Sequence, residues 1–307
     1  MNAIITAATG YTETDLQIFL WSIAKNCKNT TVFLIAYYKD RESIEQLREK
    51  YSFIQPVYIG ASIRKQFARL ANYRTSPYYY WLALYLSKRK YSSVIFPIEA
   101  IGRLALRIPQ ERFFIALQIM KAHKNIFSNI LLTDSRDVVI QGDPFHSING
   151  KLISGLEPST VRNERFNASW IEAIYGKNTL DKMLDSSVVC SGVTLGSAQE
   201  IENYLDKMCE EMWRLLPKII FKEGCDQGFH NYLIFEKELE LELTSNQQGI
   251  IATLSLEDAA GLEIDYRQEL VKIGNRYPAI IHQYDRHPKL VTFFTQLATK
   301  APAELLS

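Results

Sequence analysis

The sequence predicts a single α/β domain, 1–307, built on a mostly parallel central sheet flanked by helices, and three observations carry the prediction. The first sixty residues alternate apolar runs with amphipathic stretches in the order β-α-β-α-β, the signature of parallel strands joined by crossover helices. A later apolar run, Ile130 to Thr133, breaks into Asp134, Ser135, Arg136 and Asp137 before turning apolar again at Val138 to Ile140. That is a buried strand delivering charge to its own exit, where ligands bind in open α/β sheets. The 307 residues, 47% hydrophobic and 22% charged, suffice for a large core with no disordered segment.

Asn2 to Ala8 reads as the first strand, followed by a polar turn, Thr9 to Thr14, that ends in a helix cap. A helix then starts near Asp15, because Leu16, Phe19, Leu20 and Ile23 recur at i, i+3, i+4, i+7. Thr31 to Tyr38 is a β-branched and aromatic run, hence a buried strand, and Ser43 to Lys50 is a short amphipathic helix. Phe53 to Ile59 is a third strand, which Pro56 confines to an edge or a bulge. Ala61 to Tyr91 is basic and aromatic: Arg64, Lys65, Arg69, Arg74, Lys88, Arg89 and Lys90 either clamp a diphosphate or belong to solvated helices with snorkelling stems.

Pro109 suits the first turn of a helix whose apolar face includes Phe113, Leu117 and Met120, and this helix leads into the strand Asn129 to Thr133. Asp143-Pro144 sets a turn. Leu152 to Leu156 resumes as a strand, and Asn163 to Tyr175 is an irregular polar-aromatic stretch around Trp170. Val188 to Gly196 is an apolar strand interrupted by Ser191-Gly192, which lets backbone pass close to a ligand. Cys225 opens a helix with Asp226 and Gln227 in its first turn, and Ala279 to Gln283 is a short strand bearing His282, with Arg286, His287 and Lys289 beyond it.

Composition narrows the classes. With 35 basic against 34 acidic residues, no global field recruits nucleic acid or an anionic membrane. No window approaches the roughly 20 apolar residues of a membrane span. Cys27, Cys190, Cys209 and Cys225 have no zinc spacing and read as reduced, mostly buried thiols. The amino terminus lacks a signal-peptide pattern, so a cytoplasmic protein is expected, in which the sequons at Asn29 and Asn167 carry no meaning. No G-x-G-x-x-G follows the first strand and no G-x-x-x-x-G-K-[ST] occurs, which argues against dinucleotide and P-loop folds.

Taken in order, Asp134 to Asp137, Cys190-Ser191-Gly192, Asp226-Gln227 with Asn231, and His282 followed by Lys289 resemble the nucleotide-sugar-dependent glycosyltransferases of GT-A type, in particular the retaining, glycogenin-like and nucleotide-diphospho-sugar transferase groups. The resemblance implies a GT-A-like fold, with a nucleotide-binding half at 1–145 and an acceptor-binding half at 146–307. It implies transfer of a sugar from a nucleoside-diphosphate sugar to a carbohydrate or other hydroxyl acceptor.

A divalent cation, Mn²⁺ or Mg²⁺, is expected on Asp134, Asp137 and His282, and the donor on Ala8, Thr9, Tyr11, Arg112, Asp134, Arg136, Ser191, Gly192 and Lys289. Asp226 and Gln227 are the expected catalytic residues. The family's two aspartates stand two positions apart, whereas here they are three apart, with Ser135 where the first carboxylate would be. Cys190 likewise replaces an asparagine.

Three other readings compete. A phosphatase of haloacid-dehalogenase type needs a carboxylate two residues after its nucleophile, and position 136 is Arg. A sugar-1-phosphate nucleotidyltransferase needs a glycine-rich, basic loop after the first strand, and Thr9 to Thr14 contains one glycine and no base. A nucleotide-sugar-binding protein without turnover would account for the irregular aspartate spacing.

Overall fold

A computed structural model describes residues 1–60, 76–89, 106–146, 148, 150–219, 225–254 and 261–300. β1 (Asn2–Ala7) lies between β2 (Thr30–Tyr37) and β4 (Asn129–Thr133), parallel to both, and β3 (Ile54–Ile59) pairs parallel with β2 at the sheet's edge. Pro56 therefore sits on an edge strand, where its missing N–H removes no ladder bond from a second neighbour. Register puts Ile4 level with Val32 and Leu131, all three packed on one face of the sheet. Ala3, Ile5, Phe33, Ile130 and Leu132 pack on the other. A strand buried on both faces needs continuous rather than alternating hydrophobicity, which is why these segments read as unbroken apolar runs.

Helices cover both faces. α1 (Glu13–Asn26) begins at a capping box in which Thr12 Oγ1 accepts from the Asp15 N–H while the Asp15 carboxylate accepts from the Thr12 N–H. It is followed by α2 (Arg41–Lys50); α3 (Ser76–Ser87) precedes α4 (Ile108–Ala122), which has Pro109 in its first turn. On α4, Phe114 is fully buried against Trp213, with ring centroids 6.3 Å apart. Burying a phenylalanine to that extent contributes about 1.5–3 kcal/mol.

Beyond β4 the sheet changes character. The next strand is β7 (Ser187–Ser197), antiparallel to β4, then β6 (Ile153–Thr160), antiparallel to β7, and β8 (Glu242–Thr244). β7 runs through Ser191-Gly192 as the expected strand, the pair interrupting its apolar sequence but not the strand itself. The stretch expected to be irregular, Asn163 to Tyr175, instead holds α5 (Arg165–Tyr175), capped by the Glu164 carboxylate on the N–H groups of Phe166 and Asn167. Its buried positions are Asn167, Ile171 and Ile174, and an asparagine on the inward face hides the helical period.

Then come α6 (Lys177–Met183), α7 (Ala198–Arg214), α8 (Leu216–Ile219) and α9 (Asp226–Phe235). A second sheet, of order β5-β12-β9, unites Val138–Ile140, Ile280–His282 and Ile251–Thr253. The last apolar strand thus lies outside the main sheet, with His282 opposite Val138. A ribbon of β10 (Leu262–Asp265) with β11 (Leu270–Ile273) precedes it, and α10 (Pro288–Lys300) follows. Among the described residues no helix is long and apolar enough to cross a membrane.

Candidate functional site

The carboxyl ends of β1 and β4 open into a cleft of ≈ 310 Å³. Asp134 stands just past β4, where its N–H donates to the Gly192 carbonyl at 2.8 Å and so joins the strand exit to the middle of β7. The Ser135 hydroxyl donates to the Ala7 carbonyl at 2.9 Å. Ser135, which holds the sequence position of a first carboxylate, is therefore consumed in tying β4 to β1, and Asp134 takes the open place beside it. Asp137 leads into β5, and its carbonyl accepts from the Gln283 N–H at 2.7 Å. That bond and the β5–β12 ladder carry His282 to the aspartates from far along the chain.

His282 Nε2 lies 3.6 Å from Asp134 Oδ2 and 3.7 Å from Asp137 Oδ2. One ligand atom from each of the three residues falls within 4.8 Å of the others. His282 is 2% exposed, and its Nε2 has no hydrogen-bond partner among the described residues. A buried polar atom left unpaired is costly, and one facing two carboxylates is satisfied by a cation between them.

Gly192 makes the room: a Cβ there would lie 2.5 Å from His282 Cε1 and 2.8 Å from both His282 Nε2 and Asp134 Oδ2. The other ring nitrogen, Nδ1, is 3.3 Å from Cys190 Sγ, an outer contact that orients the imidazole. One imidazole nitrogen with two carboxylate oxygens fits a divalent ion, and the nitrogen favours Mn²⁺ over Mg²⁺.

The charges of the trio are set by burial and by each other. Burial pushes the Asp137 carboxyl up, with His282 opposing and Asp134 adding to the rise. Burial acts the same way on Asp134, but the Arg112 guanidinium and His282 outweigh it and hold that carboxyl well below the usual range. For His282 burial works against the charged ring, yet Cys190 and the two carboxylates raise it well above an ordinary histidine. Positive charge is thus favoured at this point, whether a proton or a metal ion supplies it.

Arg112, projecting from α4, binds Asp134 Oδ1 through Nη1 and Asp226 Oδ2 through Nη2 at 3.0 Å. Asp226 also accepts from the Ser191 hydroxyl at 3.4 Å. Burial pushes the Asp226 carboxyl up while Arg112 pulls it down. Gln227 is held at both ends: its Nε2 donates to Glu157 Oε1 at 2.8 Å and its Oε1 accepts from the Ser191 N–H at 3.3 Å. Asn231 braces β7 by pairing with both the N–H and the carbonyl of Val189, at 2.8 and 2.9 Å.

Of the residues expected here, Thr9, Tyr11, Arg112, Asp134, Arg136, Asp137, Ser191, Gly192, Asp226, Gln227 and His282 line the cleft. Two expected donor-binding residues do not. Ala8 is fully buried, and its neighbour Ala7 lines the cleft in its stead. Lys289 is exposed in the first turn of α10 and lies outside the lining.

Arg136 does not pair with Asp137; it reaches Asp285 at 3.6 Å and lies 5.9 Å from the Tyr11 ring centroid. In the basic-aromatic stretch Arg64, Lys65, Arg69, Arg74 and Lys90 lie outside the described residues, while Lys88 and Arg89 are exposed after α3. Sequence reasoning missed Glu157 and the positions of Cys190 and Trp170 in this site; a glutamate within an apolar strand, Ile153 to Glu157, was the one available signal for the first.

No protein-family model matches the chain, and no curated protein matches it significantly.

Proposed function

We propose that this protein is a glycosyltransferase of GT-A type, moving a sugar from a nucleoside-diphosphate sugar to a hydroxyl acceptor with a divalent cation, Mn²⁺ in preference to Mg²⁺, held by Asp134, Asp137 and His282. The observation that carries the reading is the convergence of those three side chains on an unpartnered Nε2 beneath Gly192, at the mouth of a cleft large enough for a ligand. When bound, the cation acts as a Lewis acid on the diphosphate and stabilises the charge that develops as it leaves.

The chain's own residues supply the rest. Arg136, half exposed and beside Tyr11, offers a second positive charge to the phosphates, and the Tyr11 ring offers a face for the base. Arg112 is spent on two carboxylates, so it acts as a positioning residue that fixes Asp134 toward the cation and Asp226 toward the sugar. Asp226 and the Ser191 hydroxyl line the region where the anomeric carbon would sit, and the Gln227 amide, locked by Glu157, shapes the floor. The phosphatase alternative is disfavoured because position 136, where that chemistry needs its carboxylic general acid, is an arginine that reaches Asp285. A second reading, nucleotide-sugar binding without turnover, is favoured by one observation: Asp226 is engaged by both Arg112 and Ser191.

Calorimetric titration with UDP, GDP and ADP, with and without Mn²⁺, tests the proposal. At least one diphosphate should bind with an affinity at least about tenfold higher in Mn²⁺, and Asp137→Ala should abolish that gain while leaving metal-free binding unchanged. Absence of binding to all three under both conditions overturns it. Binding followed by neither hydrolysis nor transfer across a panel of the matching nucleotide sugars selects the non-catalytic reading.

A further inference from the structure

α5 lies against the start of α9 more closely than side chains normally permit. A Cβ at Gly228 would be 3.1 Å from Trp170 Cβ, so the glycine is what admits Trp170 beside the Asp226-Gln227 turn. Trp170 lines the cleft. One turn earlier on the same helix, Phe166 is 53% exposed, with its ring 6.1 Å from that of Trp170 and inclined to it by 33°. The Arg165 guanidinium lies over the Phe166 ring, 4.8 Å from its centroid. The helix that carries them is pinned at its start by Glu164, which accepts from both the backbone and the side-chain amide of Asn167 at 2.6 and 2.8 Å.

Two adjacent aromatic rings, Trp170 in the cleft wall and the exposed Phe166 next to it, make an apolar step beside the polar Gln227–Glu157 pair. Phe166 touches Trp170 and Arg165 of its own helix, and its exposed ring continues the apolar surface of a residue that lines the cleft, the kind of adjoining patch that marks a binding surface. Tyr11 with Arg136 already offers a stacking face by the β1 loop, so a second aromatic face beside Asp226 serves a different ring. A pyranose matches its chemistry: one face of the sugar presents C–H groups to an aromatic ring, while its rim presents hydroxyls to amides, carboxylates and guanidinium.

We infer that Trp170 and Phe166 form a stacking platform for a pyranose ring of the acceptor, which makes the acceptor a carbohydrate. The inference rests on the glycosyltransferase reading for the word acceptor, but the platform's affinity for sugar is independent of turnover.

Saturation-transfer NMR on the full chain with maltose, lactose and cellobiose, run with diamagnetic Mg²⁺, tests it. At least one disaccharide should receive saturation mainly on the C–H groups of one ring face. Trp170→Ala should weaken its binding by about tenfold or more, the loss of one stacked aromatic. Phe166→Ala, at an exposed position that leaves the fold intact, should weaken it severalfold, and Trp170→Phe should restore most of what Trp170→Ala loses.

Affinity for the diphosphate that binds the wild type should be the same in all three variants. No saturation of any disaccharide, or unchanged sugar binding in Phe166→Ala and Trp170→Phe together with Trp170→Ala, overturns the inference. So does a loss of diphosphate affinity in Trp170→Ala, which would assign the platform to the nucleobase. Sugar binding that depends on Trp170 in a protein that binds no diphosphate would remove the proposed function and keep the platform.

Discussion

Among the described residues two histidines are buried with an Nε2 that has no partner, and they have opposite fates. His230, on α9, faces the Tyr204 hydroxyl with its Nδ1 at 2.9 Å, and its ring meets that of Tyr204 edge-on. Burial lowers it to about 3, with the Arg112 guanidinium pushing the same way, so the ring is neutral. His282 is opposed by the same burial, but Cys190, Asp134 and Asp137 surround it with negative character and raise it. An unpaired ring nitrogen is therefore not a site by itself. Burial removes water from both; the sign of the neighbouring charge decides whether a cation takes the vacated place. Arg112 divides the two environments, neutralising Asp134 and Asp226 on the cleft side and opposing a proton on His230 on the helical side.

The largest expected effect comes from removing that divider. Arg112→Met leaves Asp134 and Asp226 buried without their shared cation and should cost about 3–5 kcal/mol in urea denaturation, the usual result of breaking one side of a buried ion network. A loss under about 1 kcal/mol would mean the two carboxylates reach water or each other's protons easily, and the contrast between the histidines would lose its cause.

Next is acid sensitivity. Because His230 is lowered in the fold, the unfolded chain takes up the proton first, so this contribution is complete above about pH 6.5 and is lost as pH falls toward about 3. The slope is about 1.4 kcal/mol per pH unit for one such group. His230→Gln should flatten the stability–pH curve in that window, measured by denaturation at a series of pH values; an unchanged slope would place the acid sensitivity elsewhere.

The smallest in free energy bears on the other histidine. Gly192→Ala puts a methyl group where His282 and Asp134 face each other, and should weaken Mn²⁺ binding by about 10–100-fold in calorimetry, the range seen when the surroundings of metal ligands are disturbed. Mn²⁺ affinity equal to that of the wild type would show that the ion, if bound, does not use the space beneath β7.

Much of this architecture follows from local pattern. The strand at Asn129–Thr133 and the edge placement forced by Pro56 agree with expectation, as does the Pro109 helix start, because each depends on a few consecutive residues: unbroken hydrophobicity, a missing N–H, a preset φ. The four cysteines are buried thiols outside any disulfide, as their spacing suggests. What misled was pattern interrupted by a polar residue with a tertiary partner. Asn167 on the inward face of α5 disguised a helix, whereas at Ser191-Gly192 the strand carries on and Gly192 gives the close approach expected of it, here to His282.

By itself the sequence determined the α/β class, the parallel first half and the presence of Asp134, Asp137, Asp226 and His282 at the ends of strands or the start of a helix. Local composition and period suffice for that. Only the tertiary structure decided which of these carboxylates share a cation already present and which leave a place open. Arg112 lies 22 positions before Asp134 and 114 before Asp226, yet touches both. Ser135 and Asp134 are neighbours in sequence, but one turns to Ala7 and the other to His282, because β1 and the β5–β12 sheet lie on different sides of the exit. Charge and burial act through space over a few ångströms, and a sequence does not specify which distant residues fall within them until the sheets are assembled.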